Sequence, residues 1–245
     1  MGTSQALLAA ERAARPTSIQ LLVTWRNPQT RRYHAVGLLW RTRDAYHFRY
    51  LDSAGKLDGF RPFLGFSSLG REYVAPHLFA IFAERVLDEA RPDRLSLFDA
   101  LDLGADAEPM EFLARSGGRR AGDTIELLQT PAISDSGHTS CVFLVHGIRY
   151  SDGASDAIEH LSTGQELRLL SEPENPADPG AILVTDDGIR LGWVPSPLLD
   201  YVHAVMDAGQ SRLTVVRANS PEVGHHMRLL VRLEGSVLES YSPAW

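Results

Sequence analysis

The sequence contains a single cysteine, a single lysine and no long apolar run. Cys141 alone cannot form an internal disulfide or a cysteine-rich zinc site, which favours a reducing compartment. The apolar stretch at residues 74–83 is broken by Pro76 and His77, and it is far shorter than the ~18 residues that a bilayer span requires. The apolar run at residues 6–10 is likewise too short for a secretory leader. We therefore expect a cytoplasmic protein without a membrane segment.

Positive charge is also scarce, and it is unevenly distributed. The chain carries a net charge of −7. Residues 1–140 hold 17 basic and 17 acidic side chains, whereas residues 141–245 hold 7 basic and 14 acidic ones. A broad electrostatic clamp on DNA requires many lysines or arginines that displace counterions. Any contact between the C-terminal half and nucleic acid is therefore expected to be local and to involve few residues.

The length of 245 residues predicts two domains. Small polar residues dominate positions 130–140, which is typical of an exposed connector. We therefore divide the chain into a flexible N-terminus (1–18), a first domain (19–131), a linker (132–141), a second domain (142–235) and a C-terminal tail (236–245).

In the first half, β-rich runs predict strands at residues 19–25, 36–40, 46–50 and 124–129. Apolar residues at helical spacing predict a helix from Pro76 onward, with Glu84, Arg85 and Asp88 on its solvent side. Two further helices are expected near residues 94–101 and 110–113. This pattern indicates a small sheet with helices.

In the second half, short apolar runs recur at the spacing of a β-barrel or sandwich, at residues 142–148, 167–170, 182–185, 191–194, 213–217 and 227–233. One helix interrupts them. It is expected to begin with Ser196 as N-cap and Pro197 at its first position, and to end at Gly209.

The residues 172–182 (EPENPADPGAI), followed by 191–195 (LGWVP) and preceded by 147–150 (GIRY), resemble a HIRAN domain over about residues 142–233. The resemblance implies a C-terminal OB-like β-barrel with one or two inserted helices, so that the whole chain is of the α+β class. In characterised eukaryotic relatives attached to remodelling helicases, this domain captures the 3′-hydroxyl end of single-stranded DNA.

The resemblance assigns a nucleic-acid-binding role to Arg149, Tyr150, Asp178, Trp193, Asn175 and Gly192. Arg149 is suited to a phosphate, and Tyr150 to stacking on a base. Asp178 would repel a phosphate but accept a hydrogen bond from a terminal hydroxyl. Trp193 stands where relatives carry another ring, and Gly192 would allow a close approach of the nucleic acid. Two other interpretations stay open: Tyr150 and Trp193 as core aromatics, and Asn175 as part of an Asx turn.

The sequence also departs from the DNA-binding relatives. Ser151 and Ala177 stand where those relatives carry tyrosines, and Pro195 and Ser196 replace a basic pair. Each missing stacking surface removes ~1–3 kcal/mol of binding energy. The ligand therefore need not be the one that the eukaryotic relatives bind.

The order of apolar runs from residue 19 to residue 131, ending in the turn Ser116-Gly117-Gly118-Arg119-Arg120, resembles the N-terminal subdomain of HipA-type toxin kinases. In that family, the subdomain packs on a kinase core or occurs as a separate partner protein. Here the core is missing, because Lys56 lies in a turn and neither His-Arg-Asp nor Asp-Phe-Gly occurs. The resemblance implies that the first domain docks a protein partner.

Three further residue patterns bear on anion binding, metal binding and catalysis. Gly117, Gly118, Arg119 and Arg120 form a candidate anion site, with an exposed turn as the alternative. His225 and His226 are adjacent and lack further ligands nearby, so no metal is expected. No nucleophile motif such as Gly-x-Ser-x-Gly occurs, and no cofactor or catalytic residue is expected.

The sequence thus predicts a non-enzymatic prokaryotic protein that recognises single-stranded DNA or a DNA 3′ end and acts in genome maintenance or phage defence. Its first domain would dock a protein. The alternatives are an antitoxin-like or protein-interaction regulator of a HipA-type kinase and, third, a cryptic nuclease or hydrolase.

Overall fold

The computed structural model describes residues 19–120, 122–243 and 245, and the predicted flexible segment 1–18 lies outside them. The described residues form two antiparallel sheets with a few short helices, which confirms a mixed α+β class.

The N-terminal sheet has five strands in the order β4-β3-β2-β1-β5. The strands are β1 (Gln20–Arg26), β2 (Tyr33–Arg41), β3 (Tyr46–Tyr50), β4 (Glu72–Ala75) and β5 (Ile125–Gln129). Because side chains alternate along a strand, β1 faces two cores. Leu21 and Val23 enter the core of the first domain, whereas Leu22 enters a core shared with the second. This double burial explains why the three consecutive residues 21–23 of β1 are all apolar.

Three helices accompany this sheet: α1 (Ala80–Ala83), α2 (Arg94–Ala100) and α3 (Pro109–Ser116). The prediction from Pro76 onward was wrong in length, since α1 has a single turn. It was also wrong for Arg85, which is 8% exposed. The Arg85 guanidinium donates to the carbonyls of Ile81 (2.8 Å) and Gly118 (2.9 Å) and pairs with Asp123. These bonds satisfy the buried charge and hold the α3–β5 loop against α1.

The C-terminal sheet has seven strands in the order β10-β9-β8-β11-β12-β7-β6. They are β6 (Ala132–Ile133), β7 (His138–Leu144), β8 (Glu166–Ser171), β9 (Ile182–Asp186), β10 (Ile189–Trp193), β11 (Arg212–Ala218) and β12 (Leu229–Ser236). The predicted linker, residues 132–141, differs in the structure, because it forms β6 and the first half of β7. Thr139 and Cys141 are buried there, so this stretch is part of the sheet.

The predicted C-terminal barrel is not closed in the described residues. β10 meets the chain after β7 only at one isolated bridge, where the amides and carbonyls of His146 and Trp193 exchange two hydrogen bonds of 2.8 Å. The inserted helices are α4 (Ala154–Glu159) and α5 (Leu199–Asp207). α5 begins two residues later than predicted, because Ser196–Leu198 form a 3-10 turn first.

The two domains pack against each other through a common core. Leu22, Leu38 and Leu128 of the first domain lie in one apolar cluster with Phe143 and Tyr201 of the second. Polar contacts also cross this boundary, since the imidazole of His146 lies 3.0 Å from the buried carboxylate of Glu126. The domains therefore form one packed unit. Among the described residues, no helix combines the length and apolar composition that crossing a membrane takes.

Candidate nucleic-acid interface

Arg149 and Tyr150 lie side by side on the surface, in a 3-10 turn that directly follows β7. Tyr150 is 67% exposed, so the interpretation as a core aromatic is wrong for this residue. The Arg149 guanidinium lies 4.6 Å from the centre of the Tyr150 ring and donates a hydrogen bond to its hydroxyl. A large exposed ring held by a cation offers a nucleotide a stacking surface beside a positive charge.

Trp193 extends this surface from the end of β10, where it is partly buried. The backbone of Gly147 lies against the indole, because a Cβ at Gly147 would stand only 2.7 Å from Trp193 Cε3. Gly147 also has a φ of 72°, a left-handed conformation that favours glycine. The same Cβ position is 3.8 Å from the Tyr150 ring. Gly147 therefore joins Tyr150 and Trp193 into one continuous surface.

Glu172 holds the other side of Trp193 in place. Its carboxylate accepts hydrogen bonds from Trp193 Nε1 (2.5 Å) and Asn175 Nδ2 (3.0 Å), and it lies 2.6 Å from Arg190 Nη2. The Arg190 guanidinium lies 5.6 Å from the centre of the indole. Sequence reasoning missed Glu172 and Arg190, because one carboxylate among the 14 acidic residues of positions 141–245 gives no signal of its own.

Asn175 and Asp178 shape the loop between β8 and β9. Asn175 Oδ1 accepts the amides of Ala177 (3.0 Å) and Asp178 (3.3 Å), which confirms the Asx-turn interpretation of Asn175. Asp178 Oδ1 accepts the amide of Gly180 at 3.0 Å. The nucleic-acid role of both residues stays a prediction. Hydrogen bonds nevertheless connect them to Glu172, and through it to Trp193.

Gly192 has a packing role in the structure and does not face a ligand. It is buried, its φ is 143°, and a Cβ there would stand 2.4 Å from the carbonyl oxygen of His146. This position lies at the bridge between β10 and the end of β7. The placement of Gly192 among ligand-contacting residues is therefore corrected: the backbone that approaches it closely is the protein's own.

The predicted anion cradle at Gly117 and Gly118 does not form. The amide of Gly117 donates to Leu113 O at 3.1 Å as the C-cap of α3, and that of Gly118 donates to Ser116 Oγ at 3.1 Å. Both glycine amides are therefore engaged within the protein. Arg119 and Arg120 follow them and are exposed. Only the two guanidiniums of this motif face outward.

The two substituted positions differ in their surroundings. Ser151 is buried, with a hydroxyl that lacks a hydrogen-bond partner, whereas Ala177 is exposed. Of the two substitutions, only the one at Ala177, in the loop between β8 and β9, therefore leaves the protein surface without a ring that the relatives carry. Within the described ranges, no group of three or more His, Cys, Asp or Glu side chains is arranged to hold a metal ion.

A pH titration tests the role of Glu172. Burial acts to raise its pKa, but hydrogen bonds from Trp193, Asn175 and Arg190 outweigh burial, and the pKa is lowered from the ordinary 4.5. A carboxyl group with a lowered pKa stabilises the fold above its unfolded-state pKa and loses this contribution as the pH falls through the folded value. We expect the excess stability of wild type over Glu172→Gln to disappear below that ordinary value.

Urea unfolding at several pH values measures this difference. Glu174→Gln is the control, because Glu174 lies exposed in the same loop. If the Glu172→Gln difference stays constant from neutral to acidic pH, the three hydrogen bonds are not what stabilises the carboxylate.

Comparison with known proteins gives a match in the C-terminal half. The family model described as the HIRAN domain matches residues 138–237. The crystal structure of the HIRAN domain of human HLTF is similar, with 21% identity over 40% of this chain and 75% of that chain, and a TM-score of 0.32. A protein from Lactobacillus plantarum shows 23% identity over 42% of this chain and 100% of that chain, also with a TM-score of 0.32. No match to a curated protein reaches significance.

The matched segment begins at the first residue of β7 and ends just after β12. It contains the exposed Arg149 and Tyr150 together with Trp193, Glu172, Asn175 and Asp178. The resemblance of residues 19–131 to a HipA subdomain stays a prediction. The family match supports residues 138–237 as a HIRAN domain.

Proposed function

We propose that this protein binds DNA through its C-terminal domain, at a single-stranded segment or a 3′ end. The observation that carries this proposal is the exposed Arg149–Tyr150 pair, which adjoins Trp193 across Gly147. The family match supports it, because the HIRAN domain is a nucleic-acid-binding domain. We also propose that the protein acts by binding and not by catalysis.

Each exposed group has a task in this proposal. The Arg149 guanidinium donates to a phosphate, and the Tyr150 ring stacks on a base. The contact between the two side chains lowers the ordering cost of binding, because both are already held in position. Asp178 accepts a hydrogen bond from a terminal hydroxyl and repels a phosphate at the same position. This difference would give preference for an unmodified end.

The charge of the C-terminal half favours an end over a long duplex. Residues 141–245 carry 14 acidic against 7 basic side chains, so long-range attraction to DNA is weak there. Recognition then depends on a few short-range contacts. A terminal nucleotide offers a free hydroxyl and an accessible base face, which suits a small site of this kind.

Oligonucleotides that differ only at the 3′ end test the proposal. We expect an oligothymidylate with a free 3′-hydroxyl to bind about tenfold more tightly than one with a 3′-phosphate. The phosphate removes the hydrogen bond from the hydroxyl to Asp178, and a hydrogen bond of about 1.4 kcal/mol corresponds to a factor of ten in affinity. Fluorescence anisotropy at low salt gives both dissociation constants. A 5′-phosphate on an oligonucleotide with a free 3′-hydroxyl is the control, and it should change little.

Equal affinities for both 3′ ends would refute end recognition and leave single-strand binding. No affinity for either oligonucleotide at low salt would refute DNA binding as a whole.

We propose that the first domain docks a protein partner. The regulator of a HipA-type kinase and the cryptic nuclease or hydrolase stay alternatives without a structural observation in their favour. Co-purification with a kinase would support the regulator, and metal-dependent cleavage of labelled DNA would support the nuclease.

A further inference from the structure

We infer that the first domain supplies a second part of the DNA interface: an arginine-lined cleft between the two domains that binds backbone phosphates of a single strand held at Arg149. This inference rests on the proposed function and extends it. It assigns the arginines at the end of β1, in the turn after it and in the α3–β5 loop a direct contact with the ligand.

The cleft has a volume of about 550 Å³, and five arginines line it. Arg26 stands at the end of β1, and Arg31 lies in the turn that follows. Arg119 and Arg120 reach in from the α3–β5 loop, and Arg149 closes the side formed by the second domain. The cleft thus collects five of the 24 basic residues of a chain whose net charge is −7. Such concentration in a concave surface raises the local positive potential.

Two of the five arginines of the cleft have a carboxylate partner, and one of these is Arg119, which lies 3.9 Å from the buried carboxylate of Glu126. No carboxylate of the described residues forms an ion pair with Arg26, Arg31 or Arg149. Asp123 is the acidic residue of the lining, and the buried Arg85 already binds it. Arg120 pairs with Glu84 at 2.6 Å, but both side chains are at least half exposed, so this pair is weak and can exchange for a phosphate.

The floor of the cleft orients two of these arginines. The hydroxyl of Tyr33 accepts a hydrogen bond from Arg119 Nη2 at 3.2 Å, and the Arg26 guanidinium lies 5.8 Å from the centre of the Tyr33 ring. Burial and the charge of Glu126 raise the pKa of Tyr33, although Arg119, Arg26 and Arg149 oppose this rise. The tyrosine therefore stays neutral and adds no negative charge to the cleft.

The extent of the basic surface favours a single strand of nucleic acid over a small anion as its ligand. Arg149 lines the cleft and also contacts Tyr150 on the outer surface, so the two sites are continuous at this side chain. Arg26, Arg31, Arg119 and Arg120 come from the first domain and Arg149 from the second, so a bound strand would contact both domains. A base stacked on Tyr150 would then have its neighbouring phosphates directed toward Arg26 and Arg31. The ligand class is single-stranded DNA.

The test compares Arg26→Gln/Arg31→Gln with wild type in the full chain. Short and long oligothymidylates with free 3′ ends, of 3 and 12 nucleotides, are titrated at several salt concentrations. We expect the variant to bind the 12-mer roughly tenfold more weakly and the 3-mer nearly as wild type does. The plot of log K against log salt has a negative slope, and for the 12-mer its magnitude should be about 1.4 smaller in the variant than in wild type. This difference is ~0.7 for each of two lost phosphate contacts.

Arg43→Gln/Lys56→Gln is the matched control, because it removes the same charge from exposed positions of the same domain that do not line the cleft. It should leave the salt slope near the wild-type value. Circular dichroism of each variant verifies the fold, and a loss of folding would affect both oligonucleotide lengths alike.

The outcomes separate this inference from the proposed function. If wild type binds the 12-mer and the cleft variant binds it equally well, the cleft inference is overturned and DNA binding stands. If the cleft and control variants lose affinity alike, the effect is one of net charge and the inference is likewise overturned. If wild type binds neither oligonucleotide, both proposals fail.

Discussion

Single-stranded DNA is expected to bind the double variant Arg149→Gln/Tyr150→Ala at least 100-fold more weakly than wild type. Loss of a stacked base costs ~1–3 kcal/mol, and loss of a hydrogen bond to a charged group costs ~1.5–3 kcal/mol. Because the two side chains contact each other, their contributions are not fully additive. A total near 3 kcal/mol corresponds to about two orders of magnitude in affinity.

Anisotropy titrations with a 12-mer oligothymidylate measure this effect. The control Arg43→Gln/Leu64→Ala removes one charge and one large exposed side chain elsewhere, since Leu64 is 95% exposed. Both variants should unfold near the wild-type midpoint, because none of the four side chains is buried. An affinity of the Arg149/Tyr150 variant within twofold of wild type would remove the observation on which the proposed function depends.

The second large effect concerns stability: Arg228→Met is expected to lower the free energy of unfolding by about 3–5 kcal/mol. Arg228 is 0% exposed. Its guanidinium donates to the carbonyl of Asn219 (2.7 Å) and to the hydroxyl (2.7 Å) and carbonyl (2.8 Å) of Ser155, and Glu159 lies 3.7 Å away. Methionine fills part of the volume but leaves these partly buried acceptors without their donor, which destabilises the folded state.

Equilibrium unfolding in urea measures this loss. Arg212→Met is the control, because Arg212 is exposed on β11 and pairs with the exposed Glu166 at 3.4 Å. Exposed pairs contribute ~0–1 kcal/mol, so the control should remain near wild type. A loss below 1 kcal/mol for Arg228→Met would show that the bonds of Arg228 to Ser155 and Asn219 add little to the fold. The difference between the two variants reports on the attachment of α4, because Arg228 connects α4 to the start of β12.

Strands were more accessible to sequence reasoning than helices. β3 was predicted with its observed bounds, Tyr46–Tyr50, because aromatic and polar residues alternate there with the period of a half-buried strand. The helix predicted from Pro76 has only one turn in the structure, although Phe82 of its apolar stripe is buried as predicted. Phe82 and Arg85 both face inward in the structure, so the polar side of the pattern was not a solvent side. Residue spacing does not reveal a buried cation whose acceptors come from elsewhere in the chain.

The candidate site was also predicted only in part from the sequence. The motif at residues 147–150 and the loop at residues 172–182 were predicted to act together, and a chain of contacts through Trp193 and Glu172 connects them. Gly192, by contrast, was placed at the ligand but lies buried against His146. A glycine in a sequence indicates that other atoms approach the backbone closely there. Only the tertiary structure shows whether those atoms belong to a ligand or to the protein itself.

Local residue patterns alone determined most strands and the HIRAN resemblance of the second half, because these depend on neighbours in the chain. Tertiary packing decided that Tyr150 is exposed, that Glu126 pairs with His146 across the domain boundary, and that arginines distant in sequence line one cleft. The physical reason is that burial and electrostatic pairing depend on distances in space. Arg26 and Arg149 are far apart along the chain, and only the packing of the two sheets brings them together.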